Sequence, residues 1–198
     1  RPGETVCLVG PNGCGKSTLF RAIIGTHPPR GGAIVVIHPD GSRDEVRSPG
    51  RDRGIVYQNY ALFDFLTVLD NVAFGLMLDE TSPWDRLFRR SAWKKLRRQH
   101  HEKALQLLEQ VGLAAAAERY PSELSGGMRQ RVAIAQALIM EPDVLLLDAP
   151  FGALDEATRE DLQRLLLQLY ANNVKALRDG RSRAARTILM VAHALTDA

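Results

Sequence analysis

Eight residues near the start of the chain, Gly10-Pro11-Asn12-Gly13-Cys14-Gly15-Lys16-Ser17, constrain what it can fold into more than any other stretch. They fit the spacing G-x-x-x-x-G-K-[ST]. Before them runs Thr5-Val6-Cys7-Leu8-Val9, apolar and rich enough in β-branched residues to read as a buried strand. After them Leu19, Phe20, Ile23 and Ile24 recur at helical spacing, and Gly25 stands where a C-cap belongs. A strand, a glycine loop and a helix in that order make a cradle for phosphate. Gly10, Gly13 and Gly15 let backbone N–H groups turn inward around an anion, and the helix directs its positive end at the same point. Lys16 is placed to reach the β- and γ-phosphates of a nucleotide, and the Ser17 hydroxyl to ligate Mg²⁺, with Thr18 next in the same turn.

Such a loop needs a second metal partner at the end of a neighbouring strand. Val144-Leu145-Leu146-Leu147 is a fully apolar run that ends in Asp148, and four buried side chains would hold that carboxylate in place. Other segments fill in an α/β core. Residues 33–37, 54–57 and 187–192 read as strands, and 39–42 as a turn. Residues 67–70 form a capping box, from which helices dominate as far as Met140, broken at Gly112 and Pro121. Residues 155–170 read as a helix with Leu162, Leu165, Leu166 and Leu169 on one side. The pattern is an α/β core, residues 1–60 and 141–198, with an inserted helical subdomain, residues 61–140.

Composition excludes several classes. The 198 residues are 45% hydrophobic and 25% charged, ordinary for a globular protein with a sizeable core. No apolar run approaches the ~18 residues of a membrane span, and Arg1-Pro2-Gly3-Glu4 does not read as a signal peptide. Cys7 and Cys14 make no disulfide framework, and no His/Cys cluster has zinc spacing. The formal net charge is only +3, but it is unevenly spread. Arg86, Arg89, Arg90, Lys94, Lys95, Arg97 and Arg98 fall close together, and a second stretch carries Lys175, Arg178, Arg181, Arg183 and Arg186. Either cluster can serve as a solvated face or as a site for nucleic acid or anionic lipid. The first has helical grammar, with Ser82 as N-cap, Pro83 at N1 and Asp85 at N3, and Trp84, Phe88, Leu96, Leu105 and Leu108 as its buried side.

Leu124-Ser125-Gly126-Gly127-Met128-Arg129-Gln130-Arg131, continued by Val132-Ala133-Ile134-Ala135, resembles the signature motif of ABC-type ATPases. That resemblance extends over essentially the whole chain and implies a P-loop NTPase fold with a RecA-like core. It implies ATP and Mg²⁺ as ligands. By the same resemblance Gln58 is similar to the Q-loop glutamine that contacts metal and attacking water. Gly152-Ala153-Leu154-Asp155 resembles the D-loop, and His193 the switch histidine at the γ-phosphate. Ser125, Gly126 and Gly127 would address the γ-phosphate held by an opposite subunit, so a head-to-tail dimer with two sandwiched nucleotides is implied. The wording of the signature, with Met128, and of Ala149-Pro150-Phe151-Gly152-Ala153-Leu154-Asp155 is similar to importer ATPases of the nitrate/sulfonate/taurine type. Such subunits lie on the inner, cytoplasmic face of the membrane beneath two permease subunits, with a periplasmic or extracellular binding protein as an indirect partner. The stretch Tyr60-Ala61-Leu62-Phe63 with Phe65-Leu66 reads either as part of the permease dock or as core of the helical subdomain.

Two positions depart from the family pattern. Ala149 stands where relatives carry the Glu that activates water, and Ala194 follows His193 where an acid is usual. Loss of a general base costs ~10²–10⁴ in rate, while Lys16, Ser17, Asp148 and the glycines for binding are intact. Three readings follow: an active importer ATPase, a nucleotide-dependent dimerisation module that hydrolyses poorly, or a nucleic-acid- or ribosome-associated relative. The last is disfavoured because Gln58 and Leu124 are only 66 residues apart, too few for inserted coiled-coil arms, so no nucleic-acid partner is expected.

Overall fold

The computed structural model describes residues 3–11, 13–38, 40–80, 90–151, 156–179 and 186–192. Asn12, Gly152, Ala153, Leu154, Asp155, His193 and Ala194, the sequence-proposed helix start at 82–85 and the cations Arg86, Arg89, Arg181 and Arg183 lie outside the described residues. The chain divides into two compact units, Arg1–Asn59 with Glu141–Ala198, and Tyr60–Met140. No helix among the described residues is long and apolar enough to cross a membrane.

The first unit is built on a four-stranded parallel sheet of β1 (Thr5–Val9), β4 (Arg53–Val56), β5 (Val144–Asp148) and β6 (Thr187–Ala192), in the order β1-β6-β5-β4. The strand carrying Asp148 was expected beside the strand that leads into the glycine loop, but β6 lies between the two. Helix α1 (Lys16–Ile24) closes the gap by running over β4 and β5. Phe20 and Ile24 bury themselves with Leu146 and Val191, and Leu8, Ile23, Ile55, Val144 and Leu189 pack around that cluster. Leu145, Leu146 and Leu147 are at most 1% exposed, while Val144 is half-buried. At roughly 1.5–3 kcal/mol each, three such side chains hold β5 firmly. The buried-strand expectation fails for β1, where Val6 and Val9 are 40% and 45% exposed, because β1 pairs with β6 on one side at the edge of the described sheet. Helix α1 ends as the sequence suggests, at a left-handed Gly25 (φ 90°), where any Cβ would also collide with the Ser48 carbonyl.

A separate antiparallel hairpin joins β2 (Val35–Ile37) to β3 (Arg43–Glu45). Strand β3 has no apolar residue and is exposed throughout, so hydrophobic pattern gave no hint of it. Its turn is set by Asp40, whose Oδ1 accepts from Ser42 N at 2.9 Å and from Ser42 Oγ at 2.6 Å. His38 fastens the hairpin to the approach of β5. Its Nδ1 lies 2.7 Å from Asp143 Oδ2 and its Nε2 3.0 Å from Asp44 Oδ2. Only the imidazolium can donate to both carboxylates. The hydrogen bond to Asp143 raises the His38 pKa above its ordinary value, against a lowering by burial, with Asp44 adding to the rise.

The second unit packs α2 (Val68–Asp79), α3 (Arg90–Gln110) and α4 (Gly126–Leu138) around Val68, Val72, Leu76, Ala104, Leu108, Val132 and Ile134. Leu108 is buried as the pattern suggests, but Leu105 is 38% exposed and lies off the packed face. Thr67 caps α2 by accepting from Asp70 N at 3.1 Å. Asn71, wholly buried one turn into that helix, ties down the segment ahead of it. Its Oδ1 accepts from Phe63 N at 2.8 Å, and its Nδ2 lies 3.0–3.1 Å from the carbonyls of Phe63, Leu66 and Thr67. Phe63 packs on Phe74, and Phe65 beside it is 75% exposed. In the first unit a last helix, α5 (Glu156–Arg178), runs past the expected end near Tyr170, so Lys175 lies on a helix rather than a loop. Buried Asn173 continues the amphipathic pattern and binds Arg186 N and O at 3.1 and 2.7 Å.

Four non-glycine residues among those described have positive φ: Tyr60 (63°), Ala61 (53°), Glu141 (52°) and Ala149 (49°). The first three stand at the two places where the chain passes from one unit into the other.

Candidate functional site

All four parallel strands of the first unit end on one edge, and their register aligns the sequence-proposed residues there. Val9 stands beside Ala192, Val191 beside Asp148, and Val56 beside Leu147. Gly10, Asp148, Ala149 and Gln58 thus mark three strands at their carboxyl ends, the edge where parallel α/β sheets bind ligands. Gln58 sits exposed in the turn after β4. Strand β6 ends at Ala192, and His193 beyond it is outside the described residues.

The loop is shaped by its backbone. Gly13 and Gly15 have φ of 80° and 101°, and nothing lies within 4 Å of a Cβ built on either, so conformation rather than space demands glycine there. Gly10 differs, since its Cβ would meet Cys14 Sγ at 3.0 Å. Helix α1 has Gly15 as its N-cap with no side-chain hydrogen bond, which leaves the N–H groups of the first turn free of a side-chain cap. Lys16 Nζ spans the loop, 2.7 Å from Gly10 O and 2.9 Å from Pro11 O. Cys14 is exposed, 3.8 Å from the same Nζ.

Ser17 Oγ donates to Asp148 Oδ1 at 3.4 Å across 131 residues of sequence. A hydroxyl and a carboxylate are the hard oxygen donors that Mg²⁺ prefers, and two adjacent ligands of an octahedral ion at ~2.1 Å lie about 3 Å apart. The pair fits that ion with little adjustment. Ala149, 5% exposed and left-handed, follows Asp148 with a methyl group that cannot accept a proton.

The second unit holds another helix start. Ser125 caps α4, its Oγ accepting from Met128 N at 3.3 Å. Ser125 is exposed, Gly126 half-buried and Gly127 buried. Arg129, one turn on, lies 5.5 Å from the Tyr60 ring. Sequence reasoning missed two residues that fix the fold by polar contacts, Asn71 and His38, the latter bound to Asp143 at the amino end of β5, away from the carboxyl edge. A lone Asn at core spacing between Val68 and Val72 was a usable signal for the first; His38 carried none, because Asp143 is remote in sequence.

An open-edged parallel sheet, a phosphate-type loop and a facing acid define a P-loop nucleotide-binding fold. The ABC transporter family model matches residues 1–152, and the chain belongs to that family. It is 48% identical over 168 residues to the sulfate/thiosulfate import ATP-binding protein CysA of Pseudomonas syringae pv. tomato, covering 85% of this chain and 48% of that protein. It is 43% identical over 196 residues to the nitrate import ATP-binding protein NrtD of a Synechocystis strain, covering 99% of this chain and 62% of that one. The chain spans about half the length of the CysA relatives it matches. Among solved structures, the dimeric ATP-binding cassette MJ0796 bound to ADP and Pi superposes with a TM-score of 0.74 at 29% identity, over the whole of this chain and 78% of that one.

Proposed function

We propose that this chain is the ATP-binding subunit of an ABC-type importer, which couples ATP binding in a head-to-tail dimer to transport through membrane-embedded permease subunits. The observation that carries this reading is the Ser17–Asp148 contact, which joins the phosphate loop to the acidic strand end at the carboxyl edge of the sheet. Lys16 and the loop N–H groups bind the β- and γ-phosphates, and Ser17 and Asp148, with Gln58 nearby, hold Mg²⁺. That ion neutralises phosphate charge when bound. Ser125, Gly126 and Gly127 present donors to the nucleotide of the partner subunit, and Asp155 and His193 complete the set by resemblance to the family. The names of the CysA and NrtD relatives support a small oxyanion as the cargo class, and by resemblance to the family a substrate-binding protein is the indirect partner that delivers it. The subunit then lies at the cytoplasmic membrane face.

Hydrolysis is impaired by Ala149. With the binding groups present and no side-chain base at this position, the ATP sandwich closes and resets slowly. The chain is expected to be monomeric without nucleotide and a persistent dimer with Mg-ATP but not Mg-ADP, as read by analytical ultracentrifugation. Ala149→Glu is expected to raise turnover by about two to four decades and to make the dimer transient. A left-handed backbone costs Ala and Glu a similar ~1–2 kcal/mol, and because Ala149 is 5% exposed, a urea-unfolding control separates any packing cost from the change in chemistry. Brisk hydrolysis by the Ala149 form, unchanged in Ala149→Glu, would show that another group activates the water.

A further inference from the structure

Apart from the candidate nucleotide site, the helical unit carries a groove of about 630 Å³ along α3. Leu69, Trp93 and Leu105 give it an apolar lining, and Lys94, Arg97, Arg98 and His101 stand around it. Its volume falls within the range of small-molecule sites, roughly 300–1,000 Å³. Nothing in the phosphate-loop chemistry uses these residues.

We propose that this groove seats an anionic phospholipid headgroup and docks the helical unit on a negatively charged membrane surface. Residues 90–103 of α3 contain six Lys or Arg against one acid, Glu102. Within the groove lining Lys94, Arg97 and Arg98 face two acids, Glu102 and Glu118, and Arg98 is paired with Glu102 at 3.1 Å. Asp70 of α2 receives Arg97 at 3.3 Å and His101 at 2.9 Å and fixes both side chains on the groove wall, so the pull on an anionic surface rests on the lysines. Lys94 and Lys95 remain exposed beside them. Cations around a half-buried Trp and exposed Leu105 form the pattern of a membrane-interface helix, with charge at the headgroup and apolar surface at the acyl boundary. The groove is ill suited to nucleic acid, because the Arg97 guanidinium lies 5.6 Å over the Trp93 ring and takes a face on which a base would stack. A free phosphate would have no use for Leu69 and Leu105.

Flotation of the full chain with vesicles tests this without nucleotide, so the outcome is independent of the ATP-binding reading. Vesicles of phosphatidylcholine with about 30% phosphatidylglycerol are expected to bind the chain, and pure phosphatidylcholine vesicles are not. Binding is expected to weaken with salt. Removing each lysine is expected to cost about fivefold, and Lys94→Ala/Lys95→Ala about 25-fold. Both lysines are exposed, and circular dichroism checks that the double variant is folded. In a Trp84→Phe background, Trp93 emission is expected to shift to the blue on anionic vesicles. Four results would overturn the proposal: equal binding to both vesicle types, a double variant that binds as well as wild type, release by millimolar inorganic phosphate at constant ionic strength, or equal affinity for single-stranded DNA or polyglutamate.

Discussion

Helix α1 starts at a left-handed glycine with no side-chain cap, whereas α4 starts at Ser125, which spends its oxygen on its own helix. The contrast runs through the two units that hold them. In the first unit the candidate site is made of exposed backbone and short polar side chains, placed by a buried sheet that they do not help to pack. In the second, polar side chains are committed to the fold, the exposed Ser125 to Met128 N and the buried Asn71 to four backbone groups. Binding chemistry and fold stability are therefore separable in the first unit and entangled in the second.

The sharpest way to break that contrast is Asn71→Ala. It strands a buried N–H and several carbonyls, each costing about 1–3 kcal/mol, so a loss of about 3 kcal/mol or more in urea-unfolding free energy is expected. A cost under about 1 kcal/mol would mean that the 60–67 segment holds itself. Lys16→Ala should do the reverse. Loss of a charged hydrogen-bond donor, about 1.5–3 kcal/mol, is expected to weaken Mg-ATP binding roughly ten- to 150-fold by calorimetry, with little change in stability. Equal affinity in the two forms would end the phosphate-loop assignment. Ser125→Ala tests the entangled case at smaller scale. Loss of the cap should cost about 1 kcal/mol of stability and also weaken the ATP-dependent dimer. If only one of the two changes, the capping and binding roles of Ser125 are separate.

The smallest effect lies at His38. Its pKa is raised in the folded chain, chiefly by the hydrogen bond to Asp143 and further by Asp44, so the folded state holds this proton more tightly than the unfolded one. The stabilisation is fully present below the unfolded value near 6.5 and is lost as pH rises through the raised folded value. Denaturation midpoints from about pH 6 to 8.5 should fall in wild type relative to His38→Gln. Parallel profiles would show that the clasp does not tighten with the proton.

How much could be read in the chain depended on how far each signal reaches. The glycine loop, β5 and α1 were legible because their patterns are local: an apolar run, a helical stripe and a Gly25 stop. The sheet order was not, since no local signal says that β6 enters between β1 and β5. Strand β3, Arg-Asp-Glu and wholly exposed, has no pattern to read, and its place comes from pairing with β2 and from His38. The expected burial of β1 failed for a related reason. Its residues are apolar enough for a centre strand, but its place at the edge of the described sheet leaves Val6 and Val9 partly in solvent. Within the candidate site the residue types were readable, while the 3.4 Å approach of Ser17 to Asp148 needed the helix crossing that only the fold supplies.

The left-handed residues Tyr60, Ala61 and Glu141 bear on how such a chain can be recombined. Each marks a seam where the second unit begins or ends. A chimera that exchanges this unit with that of a relative must carry these backbone dihedrals across both joints, or use Gly or Asn, which tolerate them best. Tyr60, Ala61 and Glu141 already bear about 1–2 kcal/mol apiece, and an imported β-branched residue would fit the left-handed region worse than they do. Splice points chosen a few residues inside the seams, so that the recipient keeps Tyr60, Ala61 and Glu141 in place, avoid asking a foreign sequence to make the turn.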